Sequence, residues 1–296
     1  MSFPSSRFAW RLTKTALGIS LVAFVQTAFA EIAVKSGEKF AFLGDSITAQ
    51  GWGNPAGYAK LIVAGLAANG VTVEPAPAGI GGHKSNQMLE RLDKDVLNKK
   101  PQWMTLSCGV NDVWHGKQGV PLDEAQAAAM TYEKRSPTEP DKGTYQQNIT
   151  QIVEKAQAAG VKVVILTATV IREDLGNEEN KKLAPYNDFL RQLAKEKNLR
   201  LADLNTMFQE RIKAAKQKGN VFTVDGVHMN TEGNKLMATG VLQALGLDAA
   251  EIKKAEAAWA PLEAQAAETA KKAAEAKAKA AAEKAAKESG AVAPPK

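Results

Sequence analysis

Residues 145–167 read YQQNITQIVEKAQAAGVKVVILT, and this stretch sets the fold. In its first part Ile149, Ile152, Val153 and Ala156 recur at the spacing of one helical face, which predicts a helix over residues 145–159. Its second part, residues 161–167, is a short apolar run rich in β-branched side chains and reads as a buried strand. A helix handing over to a buried strand is the repeating unit of a parallel sheet covered on both faces. The same rhythm extends outward. Further strands are predicted at residues 39–43, 71–75, 102–107 and 199–203. Further helices are predicted at 58–69, 85–98, 185–197 and 232–245. Tyr186, Phe189, Leu190 and Leu193 share one face of the third of these. The expected fold class is α/β, a three-layer sandwich with a five-stranded parallel sheet, in one domain over residues 31–250.

Both ends of the chain read differently from this body. Arg7, Arg11 and Lys14 precede an apolar run from Ala16 to Val25, and Ala28-Phe29-Ala30 follows with small residues at cleavage offsets. That order predicts a secretory signal peptide over residues 1–30 and a periplasmic or secreted product. The run is shorter than the roughly 20 apolar residues of a spanning helix, so no stable membrane span is expected after cleavage. Residues 251–296 are dominated by Ala, Lys and Glu, with Ile252, Trp259, Leu262 and Val292 nearly their only large apolar side chains. Without a leucine seam this tail is expected to be a helical or disordered spacer rather than a coiled coil, its partner unknown.

Composition excludes some function classes. The formal charge of +6 owes three basic groups to the first 30 residues, and the tail carries nine lysines against seven glutamates. The body is therefore close to neutral and offers no electrostatic footprint for nucleic acid. The single cysteine, Cys108, forms no internal disulfide and reads as a small buried packing residue. Neither Cys nor His clusters at metal-ligand spacing, and no cofactor is called for. Residues 79–85 (GIGGHKS) do not match a phosphate-binding P-loop, since His83 precedes the lysine and Ala78 stands at the opening glycine. A Gly-x-Ser-x-Gly elbow is absent.

In a parallel α/β sheet, ligands bind beyond the carboxyl ends of the strands. Polar motifs stand there four times: Gly44-Asp45-Ser46-Ile47-Thr48, Gly79-Ile80-Gly81-Gly82, Gly109-Val110-Asn111-Asp112 and Asp225-Gly226-Val227-His228. Asn230 or Thr231 is expected to cap the last helix. A serine hydroxyl needs a base to remove its proton as it attacks; histidine is the side chain whose unperturbed pKa lies near neutrality, which makes His228 the natural candidate. Asp225, three residues earlier, is placed to fix the imidazole tautomer. Attack on an ester carbonyl needs donors ready for the oxyanion. The N–H groups of Ser46 and Gly82 and the side-chain amide of Asn111 are candidates, with Gly79 and Gly81 as alternatives in the same turn. Asp45, His83, Asp112 and His115 are candidate pocket-lining residues, each with a structural alternative as a turn or cap residue. Residues 115–144 form a long connection that reads as a partial lid, or as a solvated loop with a short helix. In it Tyr132, Glu133, Lys134 and Arg135 are placed to meet a polar substrate.

Taken in order, Gly-Asp-Ser, the glycine turn, Gly-x-Asn-Asp and a late Asp-x-x-His resemble the SGNH (GDSL) hydrolase family, from Phe40 to about Leu245. The resemblance implies a flavodoxin-like sheet and esterase, acetylesterase or lipase activity. It also implies Ser46 as nucleophile, Gly82 and Asn111 as oxyanion donors, and Asp225 and His228 as the remaining triad members. Export and the polar connection favour short acyl esters, acetyl above all, on a small-molecule or carbohydrate substrate. The rival enzyme readings are lysophospholipase, lipase or thioesterase action. The rival from another class is a non-catalytic envelope protein that binds glycans.

Overall fold

The computed structural model describes residues 31–115, 119–129, 143–215 and 219–289. The predicted signal peptide, the four polar residues from Tyr132 to Arg135 and Val292 lie outside them. Five parallel strands, β1 (Lys39–Gly44), β2 (Glu74–Gly79), β3 (Trp103–Ser107), β4 (Lys162–Leu166) and β5 (Arg200–Ala202), form one sheet in the order β2-β1-β3-β4-β5. Phe40 to Leu43 of β1 and Val164 to Leu166 of β4 are wholly buried, as strands covered on both faces must be. On one face lie α3 (Ser85–Asp95), α6 (Tyr145–Ala158) and α7 (Glu178–Glu196). On the other, α2 (Tyr58–Ala68) packs on α9 (Thr231–Ala244), with α8 (Leu204–Ala214) and α10 (Ala249–Ser289) beside them. Short helices α1 (Ser46–Gly53) and α4 (Val110–Trp114) open directly from the ends of β1 and β3, and α5 (Glu124–Ala129) lies in the long connection. The three-layer α/β class and the five-strand count stand as read from the sequence.

Three boundaries differ, each for a physical reason. The second strand lies at Glu74–Gly79 rather than 71–75. Its sequence EPAPAG looks unlike a strand because proline has no N–H to donate. However, β2 is an edge strand, and Glu74 and Ile80 donate to Glu38 and Gly44 at the two ends of the neighbouring strand β1. Alternate residues face that neighbour, so Pro75 and Pro77 fall where an N–H would point away from the sheet. The shift carries the pairing up to Gly79↔Gly44 and sets the glycine turn beside Ser46. Helix α7 starts seven residues earlier than predicted, because Asn177 caps it by accepting from Asn180 N–H at 2.7 Å. Helix α8, missed from sequence, is capped by Asp203.

The tail is the largest departure. Its first turns belong to the packed body, so a boundary at residue 250 cuts through one continuous helix. Trp259 is fully buried and its indole N–H donates to Leu61 O at 2.8 Å. Ile252, Ala255 and Ala266 are buried with it. The close approach of α10 to α2 depends on Gly65, where a Cβ would press on Leu242 and Ala255. Beyond Ala266 the described side chains of α10 are exposed. Trp259→Ala is therefore expected to cost about 3–5 kcal/mol, a Tm loss of about 10 °C for a domain of this size. Ending the chain after residue 269 should leave Tm unchanged. Thermal melts of the two variants check both statements.

Of the long connection, residues 119–129 lie against the body: Tyr186 Oη donates to Val120 O at 2.7 Å, and Tyr145 N–H to Pro121 O at 2.8 Å. Among the described residues no helix is long and apolar enough to cross a membrane.

Candidate active site

Ser46 is the first residue of α1, set where β1 stops. Asp45 caps that helix, its Oδ1 accepting from Ile47 N–H at 2.9 Å. The Ser46 N–H is one of the first-turn donors for which a helix has no internal acceptor. Helix α1 starts tight against the edge strand: a Cβ on Gly79 would overlap the backbone of Ala49.

The Asp225–His228 segment reaches Ser46 from the far end of the chain. His228 Nε2 lies 2.9 Å from Ser46 Oγ, and His228 Nδ1 lies 2.6 Å from Asp225 Oδ2. The other carboxylate oxygen of Asp225 accepts the N–H groups of Val227 at 3.0 Å and His228 at 2.8 Å. Burial acts to raise the pKa of Asp225, but the hydrogen bonds from the His228 ring and these two amides outweigh it and hold the carboxyl below the usual range. The segment is closed by Val224 N–H donating to His228 O at 2.8 Å. Asn230, accepting from Gly233 N–H at 3.0 Å, then caps α9 as expected.

The two candidate oxyanion motifs flank the serine. Residues 80–83 form a tight turn in which Gly82 adopts φ 75°, a left-handed conformation natural to glycine in the third position. A Cβ there would meet nothing within 4 Å, so the position faces open space. Gly79 by contrast is a strand residue, and Gly81 borders the Ser46 side chain. Asn111, in α4, donates from Nδ2 to His83 O at 3.1 Å and more loosely to Asp45 Oδ2 at 3.4 Å. That contact joins the end of β3 to the glycine turn.

Four further residues were candidates for lining the pocket, and two of them do not line it. Asp45 and Asp112 are each 2% exposed and lie beneath the site, because their oxygens are spent on the chain itself. Asp112 Oδ1 accepts from Ser85 N–H at 3.0 Å and Ser85 Oγ at 2.6 Å, pinning the start of α3 to α4. Burial raises both carboxyls, and the nearby charge of Asp112 adds to the rise at Asp45, which reaches about 7. Of the other two, His83 O accepts from Asn111 Nδ2 at 3.1 Å and His115 Nε2 lies 3.2 Å from Asn111 Oδ1. Cys108 is buried, and burial first, then the charges of Asp112 and Asp45, push its thiol well above the usual range. It is the packing residue that the sequence predicts, not a nucleophile.

Sequence reasoning missed Arg91. Its buried guanidinium donates to Gly44 O and Ala78 O, both at 2.8 Å, and its Nε to His83 Nδ1 at 3.1 Å. One side chain thus ties β1, β2 and the glycine turn together. Nothing local in a charged helix face distinguishes it from a solvated arginine. The exposed large apolar side chains among the described residues are Ile80, Trp114 and Val224. Each adjoins a different site motif in the sequence.

Comparison with known proteins places the chain in a family. The model of the GDSL-like lipase/acylhydrolase family matches residues 42–236. A solved acetyl xylan esterase is 31% identical, with 70% of this chain and 98% of that one covered and a TM-score of 0.57. A solved acetylxylan esterase from Geobacillus stearothermophilus is 23% identical, covering 73% of this chain and 97% of that one at a TM-score of 0.59. A curated acetylxylan esterase of the same organism is 24% identical over 230 residues. Solved variants of the Geobacillus enzyme, described as catalytic mutants, replace a serine, an aspartate and a histidine with alanine, the last two lying three positions apart. The chain belongs to the GDSL-like lipase/acylhydrolase family and is an ester-hydrolysing serine hydrolase.

Proposed function

We propose that the chain is an exported esterase that removes short acyl groups, acetyl above all, from carbohydrate, using Ser46, His228 and Asp225. The observation that carries this reading is the relay of two short contacts, 2.9 Å from Ser46 Oγ to the imidazole and 2.6 Å from the imidazole to Asp225. His228 takes the Ser46 proton as Oγ attacks the acyl carbonyl and returns it to the departing sugar hydroxyl. Water, deprotonated by the same imidazole, then releases the acid from the acyl-enzyme. Asp225 holds the ring in the tautomer whose Nε2 is free to accept. The developing oxyanion takes the N–H groups of Ser46 and Gly82 and one amide hydrogen of Asn111. The loose 3.4 Å contact from Asn111 to Asp45 is the easier of its two bonds to give up.

The acetylxylan esterases among the relatives support the carbohydrate ester, and the spacing of aspartate and histidine in the Geobacillus variants supports the triad. The N-terminal run of basic, apolar and small residues supports export. The exposed apolar side chains of Ile80, Trp114 and Val224, each next to a site motif in sequence, suit the flat face of a sugar ring, and they are also what a fatty chain would use. Rates on acetylated xylo-oligosaccharides and on an aryl ester series from acetyl to dodecanoyl separate the two. Acetyl release with rates falling beyond butanoyl is expected; a preference for long chains would replace the sugar-ester reading with a lipase one.

A further inference from the structure

The loop that brings His228 to Ser46 has no regular structure of its own, so something must hold it. Residues 221–223 lie just upstream of Asp225, and a single carboxylate gathers them. Glu173 Oε1 accepts from Phe222 N–H at 2.9 Å, Thr223 N–H at 2.8 Å and Thr223 Oγ1 at 2.7 Å, while Oε2 accepts from Val221 N–H at 2.7 Å. An ionised carboxylate accepts only, and this one takes four bonds, three from backbone N–H groups and one from a hydroxyl, all within residues 221–223. Charge-assisted bonds of this kind are about twice as strong as neutral ones.

The clamp reaches the triad by a short path. Gly226 N–H donates to Thr223 Oγ1 at 3.2 Å, and Val224 N–H donates to His228 O at 2.8 Å. Arg172, next to Glu173, donates its N–H to Gly226 O. It does so from φ 60°, a left-handed conformation that few residues other than glycine adopt. Two adjacent residues in the connection from β4 to α7 therefore grip the loop on both sides of Asp225. Arg172 and Glu173 touch neither Ser46 nor the His228 ring in any described contact, and half-buried Glu173 makes its described bonds to this loop alone.

We propose that Glu173 is a positioning residue for hydrolysis: its carboxylate fixes residues 221–223 and so keeps the His228 imidazole at Ser46. The proposal rests on the triad reading above. A displacement of about 1 Å at a reacting group costs about 100-fold in rate, so a loosened loop should lower kcat without weakening substrate binding. Glutamine at 173 keeps one acceptor but turns the other atom into a donor against a backbone N–H, whereas alanine removes the clamp entirely.

The test uses the full chain with Glu173→Gln, Glu173→Ala and, as control, His228→Ala. Thermal melts establish folding. Steady-state kinetics on an aryl acetate separate kcat from KM, and proton NMR follows the downfield His228 Nδ1–H signal that the 2.6 Å bond to Asp225 produces. The expected result is kcat reduced about 10-fold for Gln and about 100-fold for Ala, with KM unchanged and the downfield signal weakened in the same order. Folded Glu173→Ala with wild-type kcat and an intact signal would overturn the proposal, as would a change confined to KM. Unfolding of both Glu173 variants would also overturn it, since the role would then be stability alone. If His228→Ala keeps wild-type activity the triad reading itself fails; if His228→Ala is inactive while Glu173→Ala keeps wild-type kcat, only the positioning role fails.

Discussion

Ser46→Ala is expected to lower kcat on an aryl acetate by about 10^6-fold while leaving the melting curve unchanged. Loss of the nucleophile in a triad that acts as a unit costs about that much, and the oxyanion donors alone sustain only a residual rate over water. The fold should not notice the change. Ser46 opens α1, but the cap of that helix is the Asp45 side chain, and the described bond of Ser46 Oγ is the one to His228. Substrate should still bind, because the oxyanion donors and the exposed apolar side chains next to the site motifs remain. Single-turnover kinetics with a sensitive fluorogenic acetate check the rate, and equilibrium binding of an acetylated oligosaccharide checks that KM-type contacts survive.

Asp225→Asn is expected to lower kcat by about 10^4-fold, or about 5 kcal/mol of transition-state stabilisation. The reason is local. One carboxylate oxygen faces the Nδ1–H of His228 and the other accepts two backbone N–H groups. An amide cannot satisfy both sides. With its oxygen toward the ring, its NH2 faces two donors; turned the other way, it donates to Nδ1 and drives the proton to Nε2, where Ser46 then finds no base. The depressed pKa of Asp225 also fixes the sign of the pH effect. The carboxylate stays ionised as pH falls through the ordinary range of aspartates, so wild-type activity should not be lost there through protonation of Asp225. A pH–rate profile of both proteins, with kcat measured separately, checks magnitude and shape.

Much of this site can be read from the sequence because the chemistry sits on residues with few alternatives. The chain has three histidines and one late Asp-x-x-His, and the three earlier motifs follow apolar runs at strand ends, while the Asp-x-x-His sits on a loop between α8 and α9. The strand-helix rhythm is equally plain where both partners are regular, as in residues 145–167. It fails where neighbours decide. Pro75 and Pro77 disguise β2, because only its edge position makes their missing donors harmless. Trp259 looks stranded in an Ala/Lys/Glu tail until Gly65 and Leu61 of α2 receive it. Arg91 and Glu173 look like surface charges, yet one ties two strands and the glycine turn together and the other gathers three backbone amides. The partners that tie these segments together are between 8 and 50 residues away, and no local pattern encodes such a meeting. Asp45 and Asp112 erred the other way: adjacency to motif residues placed them in the pocket, whereas their hydrogen bonds draw them beneath it.

The central claim is that one hydroxyl among the chain's serines and threonines is made nucleophilic by one imidazole. Reaction of the full chain with a fluorophosphonate, followed by digestion and tandem mass spectrometry, tests it directly. A single adduct on Ser46 that forms in the wild type and is nearly abolished in His228→Ala is the predicted outcome. An adduct on a different residue, or equal labelling of wild type and His228→Ala, would contradict it.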